Sequence, residues 1–432
     1  QIEQRKSDRL CYALLYGRWH LGMQTKDFLS MSARSKNTED IRLRPVFGMK
    51  VRFLLHGFVR SVLRTRHNIL VYIINSTLAI IQVMRSDYNQ IPVVTVLMSV
   101  YNGEKYLRQA IDSILNQTLR DFEFVIYDDC SNDSTAEIIN SYSDTRIVYR
   151  RNSSNKGLTA NLADGVKRSA ARYIARMDAD DVAYSNRLKR QVEWMDVHPE
   201  ITILGTPVKY FSVSPGDGAL SEQPQDDATI KARLFIDFTL MHPSIMIRRD
   251  DLVNRGINYN TDFRYSQDHA LYFDCIMQGL KFANYPEPLL HMRGHAASIS
   301  SHNHGAQQEC SKRARLLFLQ STGLFRDCLD SEIEIYNDLA SWEFPDSPSK
   351  IDKFESFVCK VCSNPVSKQY FDVELLRMTI IEKLYDIAYL CVGDKRYGKA
   401  ALRIRRSPLG MYIAKWPLKK TIKFYLKYII KK

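Results

Sequence analysis

The sequence predicts an α/β protein: a mainly parallel central sheet flanked by helices, followed by a helical C-terminal region. Three observations carry that expectation. Strands and helices alternate from residue 91 to residue 204, the strands are too apolar to face water on either side, and the texture beyond residue 305 is helical.

The first strand is Pro92-Val-Val-Thr-Val-Leu-Met-Ser-Val100, a β-branched run suited to a buried position. Leu107, Ala110, Ile111, Ile114 and Leu115 follow at the spacing of one helix face. A second strand, Phe122 to Tyr127, ends in Asp128-Asp129. Ser134 and Glu137 have the spacing of a capping box before a short helix through Ile138 and Ile139. A third strand at Arg146–Arg150 and a helix at Leu158–Ser169 lead to a fourth strand, Tyr173–Met177, which ends in Asp178-Ala-Asp180-Asp181. Ser185 is placed to cap the next helix, through Leu188, Val192 and Met195. That helix stops at His198-Pro199, before a strand at Ile201–Leu204. Helical patterns recur at Lys312–Leu319, Val373–Leu390 and from Pro417 onward. The chain divides accordingly into a basic N-terminal region (1–90) of unassigned role, an α/β domain (91–304) and a helical region (305–432).

Charge is unevenly distributed along the 432 residues, whose net charge is +13. Residues 1–90 hold 15 Lys and Arg against 6 Asp and Glu, residues 91–394 hold 33 against 42, and residues 395–432 hold 13 against none. An acidic body argues against nucleic acid as partner, because phosphate backbones are held by contiguous basic surface. In the last segment Leu418, Ile422, Tyr425, Leu426 and Ile429 share one helical face and Lys419, Lys420, Lys423 and Lys427 another. Such a tail suits an anionic membrane surface, and with it a cytoplasmic protein peripheral at the inner face of the membrane. The apolar stretch Asn68–Met84 contains Asn75, Ser76, Thr77 and Gln82 and falls short of the about 20 apolar residues a spanning helix needs. The chain opens on Gln1, as a processed or incomplete chain would, with no secretory signal pattern near it. Eight scattered cysteines read as reduced, and Cys359-x-x-Cys362, without a second pair at zinc spacing, as two helix residues.

In β/α sheets of this kind, ligands sit at the carboxyl ends of strands, where Asp128, Asp129, Asp178, Asp180 and Asp181 fall. Three carboxylates within four residues repel one another, and an oxygen-only set favours Mg2+ or Mn2+. Magnesium keeps positions open for substrate phosphates, which makes a nucleotide diphosphate the natural further ligand.

Further motifs stand in order along residues 91–300: Tyr101-Asn102 after the first strand, Asp128-Asp129 with Ser131 and Asp133, Asn155-Lys156-Gly157 and Asn161. They continue through Asp178-Ala-Asp180, His242-Pro243-Ser244, Gln267-Asp268, and Arg293 with His295. With these motifs the chain resembles the family 2 glycosyltransferases of the GT-A fold. The resemblance implies transfer of a sugar from a nucleotide-diphospho-sugar donor to a saccharide or lipid-linked saccharide hydroxyl, in bacterial surface polysaccharide synthesis. It implies that the backbone of Val100, Tyr101 and Asn102 and the carboxylate of Asp129 contact the nucleobase and ribose, that Asp128 belongs to the same nucleotide-sugar-binding set, and that Asn155, Gly157 and Asn161 lie under the nucleotide. Asp178 and Asp180 match its metal and diphosphate motif, with Asp181 as accessory, and Asp268 matches its catalytic base. Arg293 and His295 are the candidates for offsetting charge on the departing diphosphate, and His242, before Pro243, reads first as a packed or hydrogen-bonded histidine and otherwise as an acceptor-side residue. One base and no evident carboxylate nucleophile favour a single displacement with inversion. Cys130 stands where that family commonly has glycine, and Gln267 where glutamate often precedes the base. A sugar nucleotidyltransferase or a dinucleotide-dependent oxidoreductase would place a glycine-rich loop straight after the first strand, and Tyr101-Asn-Gly-Glu-Lys105 has a single glycine. A catalytically inactive nucleotide-sugar binder or membrane scaffold would have no need of Asp268.

Overall fold

A computed structural model describes residues 91–215, 218–294, 304–343 and 346–391. The N-terminal region, the stretch Asn68–Met84, His295 and the basic tail lie outside the described residues.

The core is a seven-stranded sheet in the order β3-β2-β1-β4-β8-β6-β9. Its strands are β1 (Val94–Val100), β2 (Phe122–Asp128), β3 (Ile147–Arg151), β4 (Tyr173–Met177), β6 (Ile201–Gly205), β8 (Met246–Arg248) and β9 (Lys281–Asn284). All pair in parallel except β8, which runs against β4 and β6. A small second sheet joins β5 (Val182–Ala183), β10 (Leu290–Arg293) and β7 (Val208–Phe211). This is the GT-A-type α/β arrangement expected, with a helical C-terminal region appended.

Helices cover both faces, which is why the strands carry no polar side. On one face β1 presents Val94, Val96, Met98 and Val100 to α1 (Leu107–Leu115), α2 (Thr135–Asn140) and α4 (Arg187–Val197). On the other face Leu97 meets α3 (Leu158–Arg168), where a Cβ at Gly165 would stand 2.4 Å from a Leu97 methyl carbon. Thr95, a polar residue of the strand interior, is satisfied by Glu123 at 2.6 Å and Ser169 at 2.7 Å.

The core on the Leu97 side runs without a break through α5 (Asp227–Leu234), α6 (Arg249–Val253) and α7 (Gln267–Met277) into the C-terminal helices. These are α8 (His304–Thr322), α9 (Asp330–Ala340), α10 (Pro348–Ser363), α11 (Ser367–Tyr370) and α12 (Val373–Cys391). Cys359 and Cys362 both lie on α10, the first exposed and the second buried.

Two caps differ from expectation. Ser134 is the N-cap of α2, but its side chain makes no capping bond, and its backbone N–H is taken by Glu104 Oε2 at 3.0 Å rather than by Glu137. α4 is capped at Asn186 rather than Ser185, whose carbonyl accepts from Thr118 N–H at 2.8 Å instead.

Candidate active site

The carboxyl ends of β1, β2 and β4 bring the predicted residues to one edge of the sheet. Asp129 N–H donates to Val100 O at 2.8 Å, closing the β1–β2 end. Beyond it Tyr101 is half exposed, while Asn102, at φ 52°, receives Asn132 N–H on Oδ1 and donates its own N–H to Ser131 Oγ, both at 3.0 Å.

Asp128 has no exposed surface. It accepts Ser131 N–H at 2.8 Å and the Tyr149 hydroxyl at 3.0 Å, so it acts from beneath by shaping the turn. Cys130 takes φ 67°, the left-handed region in which glycine is free of Cβ strain, which explains the family's glycine there. Asp129 accepts Asn152 Nδ2 at 2.7 Å, Lys156 N–H at 2.9 Å and Gly157 N–H at 2.8 Å. Burial alone would raise its pKa, but the bonds from Lys156, Asn152, Gly157 and Asn161 outweigh it and hold the carboxyl below the usual range. Gly157 has φ 87° and ψ 157°, a region open in practice only to glycine. Asn161 is buried between Asn152 and Ser99 at 2.7 and 2.9 Å, and Asn155 stands exposed on the same loop. Asp129 and Asn161 therefore build the floor of this loop.

At the end of β4 the carboxylate oxygens of Asp178, Asp180 and Asp181 lie within 4.8 Å of one another. Asp181 is buried, with Oδ1 taken by Arg293 N–H at 2.8 Å and Oδ2 without a hydrogen-bond partner among the described residues. Burial, then Asp178 and Asp180, push its pKa well up. Burial also raises Asp178, with Arg176 pulling against it. A crowded, oxygen-only set that takes up protons when no cation is present fits a hard divalent ion.

Two buried arginines beneath this cluster were not legible as site residues. Arg176 is 3% exposed, in contact with Asp178 Oδ1. Arg187, fully buried, donates Nη2 to Arg176 O at 2.7 Å and Nε to Gln191 Oε1 at 3.1 Å, and burial lowers its pKa to about 9. The available signal was an arginine in the middle of Tyr-Ile-Ala-Arg-Met, an otherwise apolar buried strand.

Arg293 ties the acidic turn to its surroundings. Its guanidinium lies 4.2 Å from the Tyr106 ring and 4.3 Å from that of Phe211, Nε donates to Asp180 O at 2.9 Å and Nη2 to Gln109 Oε1 at 2.5 Å. A side chain only 7% exposed and so engaged holds the turn in place, a duty beyond the diphosphate contact expected of it.

Asp268 lies in the first turn of α7, with Oδ1 accepting His269 N–H at 2.9 Å, and burial raises its pKa. His269 is fully buried and its pKa is pushed down to about 3, first by burial and then by Arg315. Its neutral ring therefore donates Nε2–H to Leu234 O at 3.2 Å and accepts at Nδ1 from Ser311 Oγ at 2.8 Å, while Ser311 accepts from Arg315 Nη1 at 2.9 Å. Ser266, at φ 52°, donates to Gln307 O at 3.0 Å. Helix α8 thus braces the segment that presents Asp268. His242 is also buried, hydrogen-bonded through Nε2 to the Tyr259 hydroxyl at 2.8 Å, and burial together with Arg176 keeps it neutral.

Fold and site define an α/β enzyme with a cluster of three carboxylates at the carboxyl edge of a mainly parallel sheet. Residues 95–256 match the model of glycosyl transferase family 2. An uncharacterised glycosyltransferase of Methanocaldococcus jannaschii is 35% identical over 208 residues, which cover 47% of this chain and 71% of that protein. The amylovoran biosynthesis glycosyltransferase AmsE of Erwinia amylovora is 27% identical, over 54% of this chain and 90% of its own. The Escherichia coli enzyme WfaP, a UDP-Glc:alpha-D-GlcNAc-diphosphoundecaprenol beta-1,3-glucosyltransferase, is 27% identical over 48% and 80%. The structure of Staphylococcus aureus TarS 1–349 with UDP-GlcNAc aligns over 78% of this chain and 90% of its own, at 16% identity and a TM-score of 0.45. The chain belongs to glycosyltransferase family 2, and its activity is that of a glycosyltransferase.

Proposed function

We propose that the protein moves a sugar from a nucleotide-diphospho-sugar donor to a saccharide or lipid-linked saccharide hydroxyl, by a single inverting displacement with Asp268 as base. The observation that carries this reading is the pairing of an oxygen-only carboxylate cluster, Asp178, Asp180 and Asp181, with a separate partly buried carboxyl, Asp268, of raised pKa.

Asp178 and Asp180 would hold Mg2+ or Mn2+, with Asp181 as accessory. A divalent cation bound there offsets the charge gathering on the leaving diphosphate. Val100, Tyr101 and Asn102 border the nucleoside, with Asp128 and Asp129 acting from below, and the Asn155–Gly157 loop with Asn161 supports it. Asp268 takes the proton of the acceptor hydroxyl as that oxygen bonds to the anomeric carbon. The bond from that carbon to the diphosphate oxygen breaks, and its electron pair leaves with the nucleotide. Arg293, with His295, is assigned to offset charge on the departing diphosphate, and Arg293 also keeps the acidic turn in register.

The names of the Erwinia and Escherichia relatives support a place in bacterial surface polysaccharide synthesis and a lipid-linked acceptor. Such an acceptor and the basic residues of 395–432 support a position at the cytoplasmic face of the membrane. Among the described residues no helix is long and apolar enough to cross one.

The test is release of nucleoside diphosphate from UDP, GDP and dTDP sugars, with manganese or EDTA, for the wild type and Asp268→Asn. Metal-dependent turnover of one donor, lost in the variant, is expected. Donor binding without such turnover, unchanged in the variant, would instead identify a nucleotide-sugar-binding protein.

A further inference from the structure

Phe238 and Trp342 are large aromatic side chains left 49% and 52% exposed, and neither is loose. The Phe238 ring stacks on that of His269 at 4.5 Å with 29° between planes, and His269 is the residue whose N–H binds Asp268. Trp342 is held on one face by Lys383, whose Nζ stands 3.1 Å from its ring centroid. Asp237 links the two rings: its Oδ1 accepts Phe238 N–H at 2.9 Å and its Oδ2 accepts Lys383 Nζ at 2.6 Å. The backbone of Trp342 terminates α9: at φ 64° its N–H donates to Leu339 O at 3.1 Å, and Glu343 N–H donates to Asp338 O at 2.8 Å. Glycine is the usual residue at such a helix end, and burial does not account for a tryptophan whose side chain is half exposed.

We propose that Phe238 and Trp342 form a stacking platform for the pyranose rings of a saccharide acceptor, running outward from Asp268. A pyranose has an apolar C–H face that packs on an aromatic ring and a hydroxyl edge that needs polar partners, and fixed rings beside a carboxylate supply both. An anionic membrane surface suits the place less well. The charge of Lys383 is matched by Asp237, whose carboxylate also accepts Phe238 N–H, and Asp268 is next in sequence to the His269 on which Phe238 stacks. The platform joins the helical region, through Trp342 and Lys383, to the acceptor side of the transferase site, and it rests on the transferase reading given above.

Saturation-transfer NMR with UDP, GDP or dTDP and Mg2+ tests it, using methyl glycosides of glucose, galactose, mannose and N-acetylglucosamine and their disaccharides as probes. Phe238→Ala and Trp342→Ala should each bind the preferred saccharide about tenfold more weakly, with recovery in Phe238→Tyr and Trp342→Phe. Calorimetric affinity for the nucleotide should not change. Saccharide binding that is absent from the wild type, or that stays at the wild-type affinity in both alanine variants, would overturn the platform while leaving the transferase reading in place. So would loss of binding to phosphatidylglycerol vesicles in the variants with saccharide binding intact. Failure of all three nucleotides to bind the wild type would remove the transferase reading itself, and the platform with it.

Discussion

Replacing Arg176 with methionine removes the cation beneath the acidic turn and keeps much of its volume. Two unit charges about 4 Å apart interact by roughly 4 kcal/mol at an effective dielectric near 20, and breaking a buried ion pair by removing one partner typically costs about 3–5 kcal/mol. Asp178 keeps 32% of its side chain exposed, so the lower end, about 3 kcal/mol, is expected at pH 7 without divalent ions. The loss should depend on pH with a definite sign. Asp178 and Asp181 already have raised native pKa values, so the native state binds more protons than the unfolded state, and stability falls as pH rises through those values. Without Arg176 they rise further, so the variant should recover relative to wild type on going from pH 7 to pH 5. Manganese, which favours the ionised carboxylates, should stabilise the variant more than the wild type. Urea unfolding at both pH values, with EDTA or manganese chloride, reads all three effects. A deficit equal at both pH values and untouched by manganese would show that Arg176 only fills space, and would refute the account of the cluster.

Other predictions concern the base and its supports. Because burial raises the pKa of Asp268, kcat/KM should fall on acidification from a pH above the ordinary carboxylate range, and this limb should be absent from the residual activity of Asp268→Asn. Ser311→Ala leaves His269 Nδ1 buried without its donor, which costs about 1–3 kcal/mol of stability; kcat should fall while KM for the donor holds, in steady-state assays. Cys130→Gly should stabilise the fold by about 1 kcal/mol in urea titrations, because it relieves a left-handed backbone. Gly157→Ala should do the opposite and weaken nucleotide binding by calorimetry, since φ 87° with ψ 157° admits no side chain without strain.

Much of the site was legible before the fold. The acids that end β2 and β4 are contiguous in sequence, and apolar runs fix those strand ends, so Asp128, Asp129, Asp178, Asp180 and Asp181 could be placed at one sheet edge from pattern alone. Asp268 was legible only through its order among other motifs, because an acid in the first turn of a helix has an ordinary explanation. Which of these groups face a ligand was not legible. Asp128 and Asp129 lie side by side, yet one has no exposed surface and the other is bonded by a loop some 25 residues further on. Exposure of this kind depends on how the β2–α2 turn and the β3–α3 loop fold over each other, and no local periodicity encodes it.

The sequence by itself determined the alternation of strand and helix, the parallel sheet and the acidic motif at its edge, because these follow from side-chain period and strand termination within short windows. Tertiary structure alone decided what surrounds the motif. It set Arg176 and Arg187 beneath the carboxylates, clasped Arg293 between Tyr106 and Phe211, ran the chain Arg315–Ser311–His269 from α8 to the neighbour of Asp268, and brought Trp342 to Phe238 through Lys383. Apart from Arg176 with Asp178, Arg187 with Arg176 and Arg315 with Ser311, these partners lie tens to more than a hundred residues apart. Their charges and ring faces meet only when both faces of the sheet are covered and water is excluded, and that burial is also what moves the pKa values of the carboxyls and of His269.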